Sequence, residues 1–187
     1  MNATEWTIDS THSQVGFAVK HMMFTTVRGR FADLEGNVVL DAENPGRSSV
    51  EVEIQAASID TQVEGRDQHL RSADFFDVDT YPTLSFRSRK VEGAMAASGD
   101  AFKVVGDLTI HGVTREVVLD ATFDGTGQDP WGGTRAGFSA ETTIDRRDFG
   151  LTWNQGLETG GVLVGHDVKI QLAVQAVQQQ EAAIATL

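Results

Sequence analysis

Apolar residues recur at every second position over most of the chain. Val15, Phe17 and Val19 alternate with Gly16, Ala18 and Lys20, so a strand turns the first set to one face and Lys20 to the other. Val50, Val52, Ile54 and Ala56, opposed by Glu51, Glu53 and Gln55, give the clearest case. Leu84 and Phe86 repeat the pattern, as do Phe102, Val104, Leu108 and Ile110, and then Val117, Leu119, Ala121 and Phe123. Ala136, Phe138, Ala140, Thr142 and Ile144 follow, and Val168, Ile170, Leu172 and Val174 end the series. From Val27 and Phe31 to Leu34, Val38 and Leu40 the inward parity changes from odd to even, which predicts a β-bulge at 32–34. Asn44-Pro45-Gly46, His111-Gly112 and the glycine-bearing segment 129–133 supply turns. One-sided strands with short connections predict an antiparallel sheet of about eight strands, closed as a barrel or folded as a sandwich.

One stretch breaks the period. Residues 63–82 read as helical, with a short helix expected near residues 62–76 between two strands. Thr61 and Glu64 have the spacing of a capping box, Gly65 weakens the first turn by ~1 kcal/mol relative to Ala, and Pro82 stops the segment. Leu70, Phe75 and Phe76 concentrate apolar surface there. A lone helix on such a sheet plugs one end. It covers either a filled core or an empty cavity.

The 187 residues fit a single domain, assigned to 1–177, with a polar and then Ala-rich tail at 178–187 expected to fray. No apolar run approaches the roughly 18 residues of a transmembrane helix. The N-terminal MNATEWTIDSTHS has neither a basic nor an apolar signal region. The cytoplasm is therefore the expected compartment, or the periplasm if a signal has been removed. Without cysteine, disulfides and thiolate zinc sites are excluded. A net charge of −12 weighs against nucleic acid and against electrostatic adhesion to anionic membranes, which leaves apolar contact as the expected route to lipid.

Candidate chemistry is sparse. His12 and His21 lie on one expected strand, roughly 30 Å apart at about 3.3 Å per residue, and cannot share a metal. None of the five histidines has the spacing of a metal site, so none is assigned. His111 and His166 sit beside glycines and read as turn residues. His69 shares the helical segment with Arg66 and Arg71, and at a pocket mouth such a set suits a phosphate or phenol head group. The plainer reading is a solvated face with an Asp67–Arg71 ion pair. Arg146-Arg147-Asp148-Phe149-Gly150 has the cations for an anion site, but reads more readily as a structural corner with Asp148 capping a turn. There is no nucleophile elbow, P-loop or dinucleotide-binding glycine pattern, so nothing requires an enzyme and no catalytic residue is assigned. Ten phenylalanines against one tyrosine form either plain core or the lining of an apolar pocket.

Several motifs together carry a resemblance. They are Trp6-Thr7-Ile8-Asp9 with His12-Ser13, Phe17-Ala18-Val19-Lys20-His21-Met22, Val27-Arg28-Gly29-Arg30-Phe31 and Ser58-Ile59-Asp60-Thr61. The long run from Arg66 to Asp77, Tyr81-Pro82, the stretch from Gly106 to Thr114, and Asp145 to Gly150 follow in order. From Trp6 to Ala176 the chain resembles the YceI-like domain family.

The resemblance implies an all-β, lipocalin-like antiparallel barrel of eight strands with an elongated apolar cavity. It further implies non-enzymatic binding, storage or transport of a polyisoprenoid (a polyprenyl quinone, alcohol or phosphate) or of a fatty-acid-like lipid. No cofactor beyond that ligand is implied, and members are often homodimers. Phe17, Val19, Val27, Phe31, Val52, Ile54, Phe86, Leu108, Ile110 and Phe138 are then expected to line the cavity. Leu70, Phe75 and Phe76 would close one end, with His69 and Arg66 or Arg71 near the head group. Two alternatives differ in class. One is a filled barrel serving as a stress-response or protein-interaction module. The other is a hydrolase or isomerase of an amphiphile, with His69 or His111 as base.

Overall fold

The structure is a computed structural model that describes residues 3–179. Its strands are β1 (Thr4–Ile8), β2 (Gln14–His21), β3 (Thr25–Phe31), β4 (Leu34–Leu40), β5 (Ser49–Gln55) and β6 (Ile59–Asp60). After the helix α1 (Glu64–Arg71) come β7 (Thr83–Gly93), β8 (Ala101–Ile110), β9 (Val113–Gln128), β10 (Thr134–Asp145) and β11 (Val164–Gln178). The strands β1, β4, β5, β7, β8, β9, β10 and β11 pair in that order, and β11 returns to β1. The result is a closed barrel of eight antiparallel strands, which removes the exposed edges of an open sheet.

Two of the staves are broken strands. Along one edge of β11, β2 pairs from Val164 to Ala173 and β1 takes over at Ala176. The next stave is β3 against β2 and β4 against β1. Its break at Ala32–Asp33 falls where the change of parity placed a bulge, so Phe31 pairs inward with Ile59 and Leu34 with Ile54. The alternating apolar residues converge on one interior, with Phe31, Ile54, Phe86, Phe102, Leu119 and Phe123 all buried. The periodicity did not mark β1, yet its Trp6 and Ile8 are core residues. At the far end, Gln178 still pairs with Trp6 and the Gln179 N–H donates to the Glu5 carbonyl at 2.8 Å. Order thus extends past the expected boundary at 177. The remainder of the expected tail lies outside the described residues.

The helix is shorter than expected, and its joint differs. Val63 takes the N-cap position without a side-chain bond, so the Thr61–Glu64 capping box does not form. Instead the Thr61 hydroxyl and N–H both donate to Asp67 Oδ1, at 2.5 and 2.9 Å. Arg66 Nε donates to the Thr61 hydroxyl at 2.8 Å and Nη2 to its carbonyl at 2.9 Å. Asp67 is therefore buried in this clasp, and the expected Asp67–Arg71 pair is not made. Arg71 donates to the carbonyls of Ala57 and Ile59 and lies 3.6 Å from Glu64. Ser72 is extended and its hydroxyl takes up the His69 carbonyl, so the helix ends there, well before Pro82. Turns carry the chain through Phe75 and Phe76 to β7.

A clasp of opposite charges pins the seam where the barrel closes. Arg135 on β10 donates to Asp9, after β1, at 2.6 Å and to Asp129, in the β9–β10 turn, at 2.8 Å. A third bond reaches Gln175 on β11 at 2.8 Å. Hydrogen bonds from Thr11 and Arg135 hold the Asp9 carboxyl well below its ordinary range, and those from Arg135 and Gly133 lower that of Asp129. Groups depressed in the folded state stabilise it fully above the unfolded pKa of about 4, and that contribution is lost as the pH falls towards their folded values. Acid unfolding of the wild type should thus steepen below about pH 4. In Arg135→Leu the slope of thermal midpoint against pH over that interval should be shallower. An unchanged slope would show that the clasp contributes nothing to stability.

Candidate functional site: an apolar cavity along the barrel

The interior is not completely filled. A cavity of about 260 Å³ runs from Ile8, Val38 and Met95 at one end to Leu70, Phe75, Phe76 and Leu151 at the end covered by α1. Its width depends on glycines at inward positions. A Cβ on Gly29 would lie 2.4 Å from the Phe17 ring, and one on Gly106 would lie 2.5 Å from the Phe86 ring. Both rings can therefore lie against bare backbone of the adjacent strand, which leaves the lumen open.

Most of the residues expected from the sequence reach this lining. Phe17 and Val19 on β2, Phe31 on β3, and Val52 and Ile54 on β5 supply one side. Phe86, Leu108, Ile110 and Phe138 come from β7, β8 and β10, and Leu70, Phe75 and Phe76 close the α1 end. Val27 and His69 fall outside it. Val27 pairs with Val19 across the β2–β3 ladder. His69 sits on the last turn of α1, with its Nε2 2.8 Å from Asp74 Oδ2 and its ring edge-on to Phe75 and Trp153. Arg66 and Arg71 are committed to the helix joint and line no part of the cavity.

The sequence places Arg146 in a structural corner and gives no sign that it reaches the cavity. It is 4% exposed, and it is the charged residue of the lining. Among the described residues no carboxylate forms a salt bridge with its guanidinium, and Asp145 beside it is paired with Arg147. Nε donates to Gly165 O at 2.8 Å, Nη1 to Leu151 O and Trp153 O at 2.6 and 2.9 Å, and Nη2 to Val164 O at 3.3 Å. Burial lowers its pKa from the ordinary arginine value, although guanidinium remains charged at neutral pH. The adjacent Asp145 pairs with Arg147, and that guanidinium holds its carboxyl down to about 2. Asp145, rather than the expected Asp148, caps the turn at Arg146–Phe149 by accepting from the Arg147 N–H at 2.9 Å. Phe149 is buried beneath it.

Three polar side chains of the lining are engaged elsewhere. Ser48 Oγ accepts from the Asp41 N–H and Ser139 Oγ donates to Asp124, while Arg146 spends its donors on backbone carbonyls. The lumen accordingly presents hydrocarbon, and apolar cavities stay dry. Outside it, His111 forms the expected hairpin turn with Gly112 and packs on Tyr81 with ring centroids 4.6 Å apart. His166 is a strand residue of β11 rather than a turn residue, because the loop ends two positions earlier. Among the described residues, no cluster of three or more His, Asp or Glu is arranged to hold a metal ion. Nor is any described helix long and apolar enough to cross a membrane.

A closed eight-stranded antiparallel barrel with a hydrocarbon-lined lumen and one short helix at its end is a lipocalin-like architecture. The chain belongs to the YceI-like domain family, whose profile matches residues 6–176. It is 37% identical over 179 residues to a UPF0312 protein of Pseudomonas aeruginosa strain LESB58, covering 95% of this chain and 88% of that one. A UPF0312 protein of Pectobacterium atrosepticum is 38% identical, again over 95% of this chain and 88% of the relative. Among solved structures, the Campylobacter jejuni YCEI protein matches with a TM-score of 0.70 and 30% identity, over 86% of this chain and 90% of that one. Burkholderia cenocepacia BcnA matches with a TM-score of 0.76 at 24% identity, covering 90% of this chain and 98% of that one. A polyisoprenoid binding domain from Saccharophagus degradans shares the fold at a TM-score of 0.70 and 17% identity, covering 93% and 98%.

Proposed function

We propose that this protein takes the hydrocarbon chain of a polyisoprenoid or similar lipid into the barrel and stores or carries it without chemical change. The observation that carries this reading is a continuous cavity whose wall is hydrocarbon. Such a site offers a ligand no polar recognition and favours length and dryness. Each CH₂-sized group moved from water into it contributes about 0.8 kcal/mol before the costs of ordering and immobilisation. A cavity of about 260 Å³ has room for on the order of 10 water- or methylene-sized groups. Longer chains would extend through an end, where the head group also remains. The polyisoprenoid binding domain of Saccharophagus degradans supports that ligand class by analogy of fold.

An acyl and prenyl alcohol series, titrated against the protein, tests this. Affinity should rise by up to about fourfold per added carbon and level off near the capacity of the cavity. Affinity that follows the head group and ignores chain length would contradict the reading. The His69–Asp74 pair supplies a partnered base, but it stands outside the lumen, so the hydrolase alternative draws no support from the cavity.

A further inference from the structure

We propose that the tip of the β2–β3 hairpin, Met22-Met23-Phe24, docks the protein onto the interface of a lipid bilayer bearing anionic head groups. The proposal takes its purpose from the lipid-binding reading and its evidence from the hairpin. These three residues are 40%, 63% and 72% exposed. The Met22 N–H donates to Leu163 O at 2.8 Å, and a Cβ on Gly161 would lie 3.1 Å from Met23 Sδ. The tip therefore abuts the loop that precedes β11, at the barrel end where α1 also lies.

The backbone makes this choice of residues costly. Met22 and Met23 have φ of 51° and 71°, the two positive values of a type I′ hairpin turn, for which Asn-Gly is the preferred pair. The turn at His111-Gly112 has φ of 53° and 71° and places glycine at the second position. At the β2–β3 turn, two long apolar side chains occupy left-handed backbone and project largely into water. Folding favours neither the conformation nor the exposure. Such a local conflict in an otherwise consistent sequence points to a functional demand.

The charges agree. No carboxylate occurs between Asp9 and Asp33, although the whole chain carries −12, and Lys20, Arg28 and Arg30 fall inside that interval. Lys20 and Arg28 are exposed on the outer face behind the tip and, among the described residues, have no carboxylate partner; Arg30 pairs with Asp60. The adjoining segment 151–163 adds one carboxylate, Glu158. An apolar tip with a cationic collar suits a bilayer interface, with methionine and phenylalanine among the acyl chains and the cations at anionic phosphates. Phe17, Val19 and Phe31 on the inner face of this hairpin line the cavity, so docking brings a cavity wall to the bilayer. Trp131 is 86% exposed, but it lies in the turn at the opposite barrel end.

The test is vesicle flotation with phosphatidylcholine, alone and mixed with phosphatidylglycerol. Wild type should float with the mixed vesicles, and less so at high salt. The double substitution M22N/M23G should weaken that binding at least about tenfold while raising the thermal midpoint, because it relieves the turn. K20E/R28E should lose the preference for phosphatidylglycerol, and W131S should bind as wild type does. The proposal is overturned if wild type does not float, if M22N/M23G floats equally well, or if W131S alone abolishes flotation. It is also overturned if M22N/M23G turns a non-floating dimer into a monomer, which would make the tip a self-interface. Uptake of a polyprenol from detergent separates the two readings. Uptake without flotation contradicts docking alone, whereas flotation without uptake contradicts lipid carriage alone.

Discussion

Phe138→Asp should give a folded barrel that no longer retains lipid. Phe138 lines the middle of the cavity, with ring centroids 5.5 Å from Phe123 and 6.4 Å from Phe102. A carboxylate there enters a hydrocarbon wall, and the charged residue of the lining, Arg146, is committed to backbone carbonyls. The carboxylate must either take up a proton or draw water into the lumen, and both oppose an apolar chain. We expect affinity to fall by at least about a hundredfold, equivalent to ~3 kcal/mol. Loss of the ring also costs stability, by ~3–5 kcal/mol for a large-to-small core change. Phe138→Leu separates the two effects, since it keeps a hydrocarbon surface and should retain ligand. Phe17→Asp, on β2 against Gly29, should behave like Phe138→Asp. A cooperatively melting Asp variant that holds lipid as well as wild type would remove these residues from the binding surface.

The second large effect concerns stability. Arg146→Leu should cost ~3–5 kcal/mol, because the carbonyls of Leu151, Trp153 and Gly165 lose this donor, while Val164 O keeps Asn154 Nδ2, and each orphaned group costs ~1–3 kcal/mol before relaxation. Those carbonyls belong to the loop after the Arg146–Phe149 turn and to the start of β11, so one side chain holds the cover of the cavity to its wall. At ~2–4 °C per kcal/mol for a domain of this size, the thermal midpoint should fall by about 10 °C. Arg146→Lys should recover only part of this, because a point charge cannot match four carbonyls set around a planar fork. A midpoint within about 2 °C of wild type in Arg146→Leu would show that the clamp is dispensable.

The barrel was legible because its strands are one-sided. Val50-Val52-Ile54 against Glu51-Glu53-Gln55 states both the period and the buried face, and the change of parity before Leu34 located a real break in the ladder. Short β1 was not legible, since Thr4–Ile8 is held by pairing with β4 and with the last residues of β11, far away in sequence. At the helix, local spacing suggested a capping box, but the turn at Gln62, with φ of 64°, brings Thr61 to Asp67 instead. Most of the lining followed from strand parity. Arg146 did not, because its partners are carbonyls, which every residue carries and no side-chain pattern reveals. Nor did the sequence spacing identify Asp74 as the partner of His69, since the two meet only after the helix has ended.

The most direct measurement is native mass spectrometry of the purified protein, with its organic extract analysed in parallel. We expect one prenyl or acyl species per barrel, lost on extraction and restored by adding a polyprenol, and absent from Phe138→Asp. Protein that arrives empty and refuses every added prenyl or acyl lipid would contradict lipid carriage.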